Sequence, residues 1–483
     1  MKITTFTNNT PTTYNSATTI PVFNPHTGKE IAQLEFTPPT ALDTIVADAL
    51  IAQKQWQRLT YKKRAEIFYR YRELLELNRL ELARLIHEDN GKSMLEAMAE
   101  IDKCIELTEF SCSIPQIISG ESQQVSRGIE CQEHRRPLGV VAVITPFNFP
   151  LMVPHWSVPN ALMLGNAVIL KPSESTPLAS FRMGALLAEA GLPKNLFHIV
   201  NGGIDIVKAL ATHPQIQALS FVGSTTVAKS VYQEAVAHNK RALCLGGAKN
   251  YVFAMKDTDP KVTASEILAS AVGMAGQRCM ALSVAVLVGD NPELYQELVT
   301  QAKNFHLDDP IPPLVSPVAI TKIKTYTQAA IAKGATVLVD GQDFAKPANQ
   351  ADGYWHGPTL IDWTNCPDEM GLDEVFGPVL EIVQVPTIEA AIAFQNRSPY
   401  GNSVCIFTQS ARIAQEVLSQ CKAGMMGINI GVAVPREPFS FGGLNQSKFG
   451  YGDITGKSSI NFWTDLIKVT TKWNPVYKVD WLS

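Results

Sequence analysis

The chain has 483 residues, 46% of them hydrophobic and 18% charged, with a net charge of -4 at pH 7. That length exceeds one ordinary core and points to two large domains with a small appendage. The near-neutral charge excludes a broad basic face for nucleic acid, and no run reaches the roughly 18 apolar residues of a membrane span.

From the N-terminus, MKITTFTNNTPTTYNS reads as a polar lead without the apolar core of a secretion signal. PVFNPHTGKEIAQLEF (21–36) reads as a hairpin turning at Asn24-Pro25 and Thr27-Gly28. From about Ala41 to Ile114 apolar residues recur every three or four positions, which predicts helices that stop before Pro115. After Leu138 the texture changes. Strands are expected at 139–145, 166–171, 197–202 and 218–224, and helices at 177–191, 204–213 and 225–239. A second alternating region, about 250–441, holds a helix near 261–277 and strands at 283–289 and 403–408. Continuous apolar strands alternating with helices predict parallel sheets covered on both faces. The expected fold is therefore α/β, with two doubly wound, Rossmann-like domains. SRGIECQEHRRPL (126–138) and DLIKVTTKW (465–473) look like exposed edge strands suited to pairing between subunits.

The eight cysteines are scattered, with no C-x-x-C pair and no histidine at metal-ligand spacing. Reduced thiols in a cytoplasmic protein are the expectation, with no disulfide framework and no metal site. In GMAGQRCM (273–280), Cys279 follows a helical stretch and a small-residue turn and stands beside Arg278. A neighbouring cation and free backbone N–H groups lower a thiol's pKa and enlarge its nucleophilic thiolate fraction. Taken alone, the octapeptide fits a buried structural cysteine equally. In ITPFNFPLMVPHW (144–156), Asn148 lies just past a strand end between Pro146 and Pro150, where a rigid amide could stabilise an oxyanion, although such an Asn also serves as a plain turn residue. KPSE (171–174) ends a strand, so Lys171 can donate to a ribose or phosphate and Glu174 can accept from two ribose hydroxyls while repelling a 2′-phosphate. FVGSTTVAKS (221–230) sets Ser224 and Thr225 at a helix start, a place for pyrophosphate. G-x-G-x-x-G is absent. DNGKS (89–93) resembles the end of a phosphate loop, but Ile86 stands where its first glycine belongs, so that reading is rejected.

In this order, PFNFP (146–150), W-x-x-P-N-A-L-x-x-G-N (156–166), KPSE, FVGST (221–225), GQRC (276–279), EVFGP (374–378) and PFSFGG (438–443) resemble the aldehyde dehydrogenase superfamily. The resemblance implies that Cys279 is the nucleophile and Asn148 the oxyanion donor. It implies an NAD site formed by Thr145, Pro146, Phe147, Lys171, Ser173, Glu174, Gly223, Ser224, Glu374 and Phe376. It further implies residues 1–125 and 140–249 as the NAD-binding domain and 250–445 as the catalytic domain. Residues 126–139 and 464–483 would be the strands of a dimer or tetramer.

Hydrolytic members carry a glutamate in L-E-L-G-G-K, whereas LCLGGAKN (243–250) places Cys244 there. A thiol cannot replace a carboxylate base near neutral pH, and Cys244 reads as a small buried filler rather than a redox partner of Cys279. G-A-K-N, although followed by Tyr251 rather than histidine, and QRCMAL resemble methylmalonate-semialdehyde dehydrogenase, which passes its acyl group to coenzyme A. That group holds the substrate carboxylate with two arginines. Arg278 matches one, and Lys103 replaces the other. The alternatives are a hydrolytic enzyme for another acidic aldehyde, such as succinate semialdehyde, and a non-catalytic NAD-binding scaffold.

Overall fold

The computed structural model describes residues 1–14, 18–305 and 311–473. Two parallel sheets organise them. The first contains β1 (Val140–Ile144), β2 (Ala167–Lys171), β3 (Phe197–Ile199), β4 (Ile216–Val222) and β5 (Arg241–Leu245). The second contains β6 (Asn250–Met255), β7 (Leu282–Val288), β8 (Thr359–Asp362), β9 (Val379–Val385), β10 (Ser403–Phe407) and β11 (Met425–Ile428). In space the first runs β5-β4-β1-β2-β3 and the second β8-β9-β7-β6-β10-β11. Antiparallel strands close both edges of the first sheet and the β8 edge of the second. Every residue of β1, β2 and β10 is buried, the signature of strands covered on both faces. The two sheets centre two separate apolar cores.

The chain passes from the carboxyl end of β5 to the amino end of β6 through only Gly246, Gly247, Ala248 and Lys249. The carboxyl ends of the first sheet therefore confront the amino ends of the second across one crevice. In the first sheet the winding direction reverses between β1 and β4, and a doubly wound sheet binds ligands outside its carboxyl ends at such a reversal.

Four helices set the walls of that crevice: α1 (Met94–Ile117), α2 (Met152–Met163), α3 (Thr225–Ala237) and α4 (Pro260–Val272). Ser93 and Glu96 close a reciprocal capping box at the start of α1. The expected stop before Pro115 is incorrect, because α1 continues to Ile117. In the last turn a proline forfeits only one backbone bond, and Ile118 N still reaches Ile114 O at 2.8 Å. The helix expected near 261–277 also ends early, at Val272, where the backbone turns left-handed.

The hairpin expected at 21–36 forms from Thr19–Asn24 and Lys29–Glu35. Ile129–Pro137 pairs antiparallel with Thr464–Lys472 along its whole length, and Ser122–Ser126 adds a third strand, so this sheet begins a few residues before the expected 126. The part of the expected strand at 474–483 lies outside the described residues.

Asn166 ties these parts together. Its Oδ1 accepts from Leu138 N (2.8 Å) and Gly139 N (3.1 Å), and its Nδ2 donates to Ala161 O and Trp463 O, both at 3.0 Å. Fully buried and fully satisfied, it joins the entry to β1, the end of α2 and the start of the C-terminal strand. Asn166→Ala strands two backbone N–H groups and should cost about 2–4 kcal/mol, read by urea unfolding followed by tryptophan fluorescence. A loss below about 1 kcal/mol would show that water replaces the amide.

Candidate active site

Thr145 to Asn148 leave the carboxyl end of β1 at the winding reversal, and the last two carbonyls of this loop are claimed. Phe147 O accepts from Asn90 Nδ2 (2.8 Å) and Thr176 Oγ1 (3.1 Å), and Asn148 O accepts from Lys92 Nζ (2.9 Å). Lys92 follows Gly91, whose φ of 88° ends the preceding helix. The Lys92 ammonium is buried against the Glu100 carboxylate from α1 and 4.0 Å from the Phe149 ring. Burial pulls its pKa down, while Glu100 favours the charged form. The other oxygen of Glu100 accepts from Leu151 N and Met152 N, both at 2.9 Å, at the start of α2. Every group of this ion pair thus has a partner, the condition under which a buried pair holds geometry.

The nucleophile enters from the opposite side. After α4, Met274, Ala275 and Gly276 take φ of 53°, 49° and 68°. A Cβ on Gly276 would lie 2.1 Å from Gly377 O, so only glycine fits there. This reversal presents Gln277, Arg278 and Cys279 to the crevice. The Cys279 carbonyl accepts from Asn250 Nδ2 and Asn402 Nδ2, both at 2.9 Å, at the amino ends of β6 and β10. Asn148 Nδ2 crosses the crevice to donate to Gln277 O at 3.0 Å, which sets its amide beside the nucleophile's turn. An amide carries two N–H donors, and this bond uses one.

Arg278 acts to lower the thiol's pKa, as expected, but it is outweighed. Burial, and then the Glu374 carboxylate, push the half-buried Cys279 thiol up to about 12. Arg278 and the backbone N–H groups of Cys279 and Met280 pull the other way and lose. Part of the Arg278 charge is spent on Glu96, whose Oε1 it meets at 2.9 Å. Cys244, in the middle of β5, is fully buried in the first core, where burial raises its thiol too.

The other singled-out residues surround the crevice. Lys171 Nζ donates to Glu174 Oε1 at 2.7 Å, with Ser173 between them. Gly223 follows β4 where a Cβ would strike the Phe221 ring at 2.6 Å, and exposed Ser224 starts α3 without capping it through its side chain. Thr145 is buried with no partner for its hydroxyl, and Pro146 follows it, half-buried. Phe147 faces Phe376 edge to face at 5.9 Å across the crevice, with Phe376 at a φ of 59°. Glu374 Oε1 accepts from Ala248 N at 3.1 Å, and burial raises its carboxyl to about 7.

On the other side of Cys279 lies an apolar cavity of about 320 Å³ walled by Phe149, Met152, Trp156 and Phe441, with Arg278 and Lys103 in its lining. Lys103 is brought into this cavity, but its ammonium is engaged by Glu106 (2.9 Å) and Glu437 (2.7 Å). The sequence reading missed Lys92, Glu96, Glu100, Asn250, Asn402 and Glu437. A signal existed for three of them: Lys92 stands in the discarded DNGKS segment, and Glu96 and Glu100 share a helix face with Lys103.

The chain matches the aldehyde dehydrogenase family over residues 12–469 and belongs to it. Among its relatives, malonate-semialdehyde dehydrogenase 1 of Geobacillus thermodenitrificans is 40% identical over 95% of this chain and 96% of its own. Malonate-semialdehyde dehydrogenase of Lacticaseibacillus casei is 38% identical over 94% and 93%. Crystalline methylmalonate-semialdehyde dehydrogenase of Oceanimonas doudoroffii superposes with a TM-score of 0.95 at 37% identity, covering 98% of both chains. A Sinorhizobium meliloti protein complexed with NAD gives 0.95 at 35% identity over 99% of both.

The thiol's environment sets a pH response. Without dinucleotide, alkylation of Cys279 by iodoacetamide should rise about tenfold per pH unit with no plateau up to about pH 9. Glu374→Gln removes an anion that opposes the thiolate and should shift the curve to lower pH, read by peptide mass spectrometry. An unshifted curve would remove Glu374 from the thiol's electrostatics.

Proposed function

We propose that the chain oxidises malonate or methylmalonate semialdehyde with NAD, through a Cys279 thioester that is passed to coenzyme A. The observation that carries this reading is a guanidinium, Arg278, one residue from the nucleophile and with donors to spare, in a cavity whose other charged groups are paired. The relatives' names support it.

The crevice fits a dinucleotide. Thr145 offers a buried hydroxyl without a partner, α3 starts just after Gly223, where a Cβ would crowd the Phe221 ring, and Lys171 and Glu174 form a polar pair at the end of β2. Ser173, Ser224, Glu374 and Phe376 would complete the cradle. NAD bound there supplies the hydride acceptor.

Arg278 keeps N–H donors beyond the one given to Glu96 and would orient the substrate carboxylate. The Cys279 thiol gives its proton to water as the sulfur attacks the aldehyde carbon, and the resulting oxyanion accepts from the second N–H of Asn148 and from the Cys279 backbone N–H. Loss of hydride leaves the thioester. For an acyl group with its carboxylate on the α-carbon, loss of carbon dioxide leaves an enolate whose negative charge lies on the same oxygen, where the same donors would hold it until a proton from water returns to that carbon. A coenzyme A thiolate then displaces Cys279. With Cys244 buried in β5, no carboxylate stands at the position of the hydrolytic glutamate. One observation favours a hydrolytic route instead: Glu374, with a carboxyl raised to about 7, could serve as a general base for water. The sheet of Ile129–Pro137 and Thr464–Lys472 is proposed as the homo-oligomer contact, since its outer strands leave backbone edges unpaired.

Asn148→Ala should slow the first-turnover burst of NADH by about 10²–10³, the usual cost of one oxyanion donor; a change of a few-fold would assign the amide another task. An aldehyde panel with NAD should yield acyl-CoA and faster turnover when coenzyme A is added. Free acid formed at a rate indifferent to coenzyme A would overturn the acyl-transfer reading in favour of hydrolysis.

A further inference from the structure

The segment 371–376 brings Glu374 and Phe376 to the crevice without forming helix or strand. Phe376 takes a φ of 59°, a strained value for a bulky side chain, and such strain persists only where the surroundings fix the backbone. Two consecutive residues of the linker between the sheets do so. Ala248 N donates to Glu374 Oε1 at 3.1 Å, and Gly247 leaves room for the other carboxylate oxygen, which a Cβ there would meet at 2.3 Å. Lys249 then takes the backbone: its Nζ donates to Gly371 O (2.6 Å) and Asp373 O (3.3 Å).

The Lys249 side chain is only 1% exposed and is itself braced. Glu381 of β9 meets the ammonium at 2.5 Å, and Glu381 Oε1 accepts from Tyr326 Oη (2.5 Å) and Trp363 Nε1 (3.0 Å). Tyr326 stands four residues after Lys322 on the helix Pro317–Ala332, and Lys322 Nζ donates to Glu374 O at 2.8 Å. An ammonium has three N–H donors. Here one meets Glu381 and two hold the carbonyls of a single segment. A buried ion pair adds little net stability over an apolar filling, so what this one supplies is direction.

Hydride transfer requires the nicotinamide beside the carbon held on Cys279, and Glu374 acts on that thiol, so the segment faces the nicotinamide half of the dinucleotide. Lys171 and Glu174 belong to the first sheet and bond each other, which leaves the adenosine half independent of Lys249. Resting on the NAD reading above, we propose that Lys249 is a positioning residue: by fixing the carbonyls of Gly371 and Asp373 it sets Glu374 and Phe376 against the nicotinamide ribose and ring.

Lys249→Met alone leaves Glu381 buried without its cation. The double variant Lys249→Met/Glu381→Gln removes both charges and keeps an acceptor for Tyr326 and Trp363. In calorimetric titrations its affinity for NAD should fall about tenfold, the worth of one charge-assisted hydrogen bond. ADP, which lacks the nicotinamide half, should bind within about twofold of wild type. Unchanged affinity for NAD, or equal losses for NAD and ADP as a general lesion of the fold would give, overturns the proposal. A second readout needs no dinucleotide: with Glu374 loosened, the pH curve of Cys279 alkylation by iodoacetamide should move to lower pH, as in Glu374→Gln. If wild type binds neither nucleotide, the NAD reading fails, and this curve alone decides: left at its wild-type position in the double variant, it overturns the role of Lys249.

Discussion

The buried pair of Lys92 and Glu100 is the constraint on which the candidate site depends. Two ions inside an apolar core stabilise little by themselves, and here each spends its remaining hydrogen-bonding capacity on the loop that carries Asn148. Lys92 holds the carbonyl of Asn148 itself, and Glu100 holds the first amides of α2. The loop between β1 and α2 is thereby fixed at both ends, and the Asn148 side chain can aim at the nucleophile's turn without support from a ligand.

The second sheet supplies a matching anchorage. Asparagines at the amino ends of β6 and β10 grip the carbonyl of Cys279, and a run of left-handed residues delivers that cysteine to the crevice. Burial raises the thiol, so the geometry around Cys279 is fixed while its surroundings favour the protonated form. The electrostatics of the thiol are dominated by loss of solvent and by Glu374, and the adjacent arginine is neutralised in part by Glu96.

Much of this was legible in the sequence. Apolar runs of strand length located β1, β2, β4, β7 and β10, and the strand-end positions of Asn148, Lys171 and Gly223 followed from them. Helix ends were less readable. Pro115 is tolerated within the last turn of α1, and the periodicity of α4 runs past Val272 into a turn that only backbone geometry reveals. Lys92 and Glu437 were hidden for a different reason: each acquires its meaning from a partner far along the chain, Asn148 or Lys103, and no local pattern encodes such a meeting. The thiol's protonation was misjudged for a related cause, since Arg278 is visible beside Cys279 in the sequence, whereas the burial of the thiol and its proximity to Glu374 are not.

The bond from Asn148 to Gln277 spans the seam between the two sheets. Amide and sulfur therefore ride on separate sheets, joined along the chain by Gly246 to Lys249 and again by the segment that returns after β11 to pair with β5. Their alignment is a property of how those sheets seat against each other, and a lesion anywhere along the seam acts as a misfit of the whole joint, remote from either reacting group.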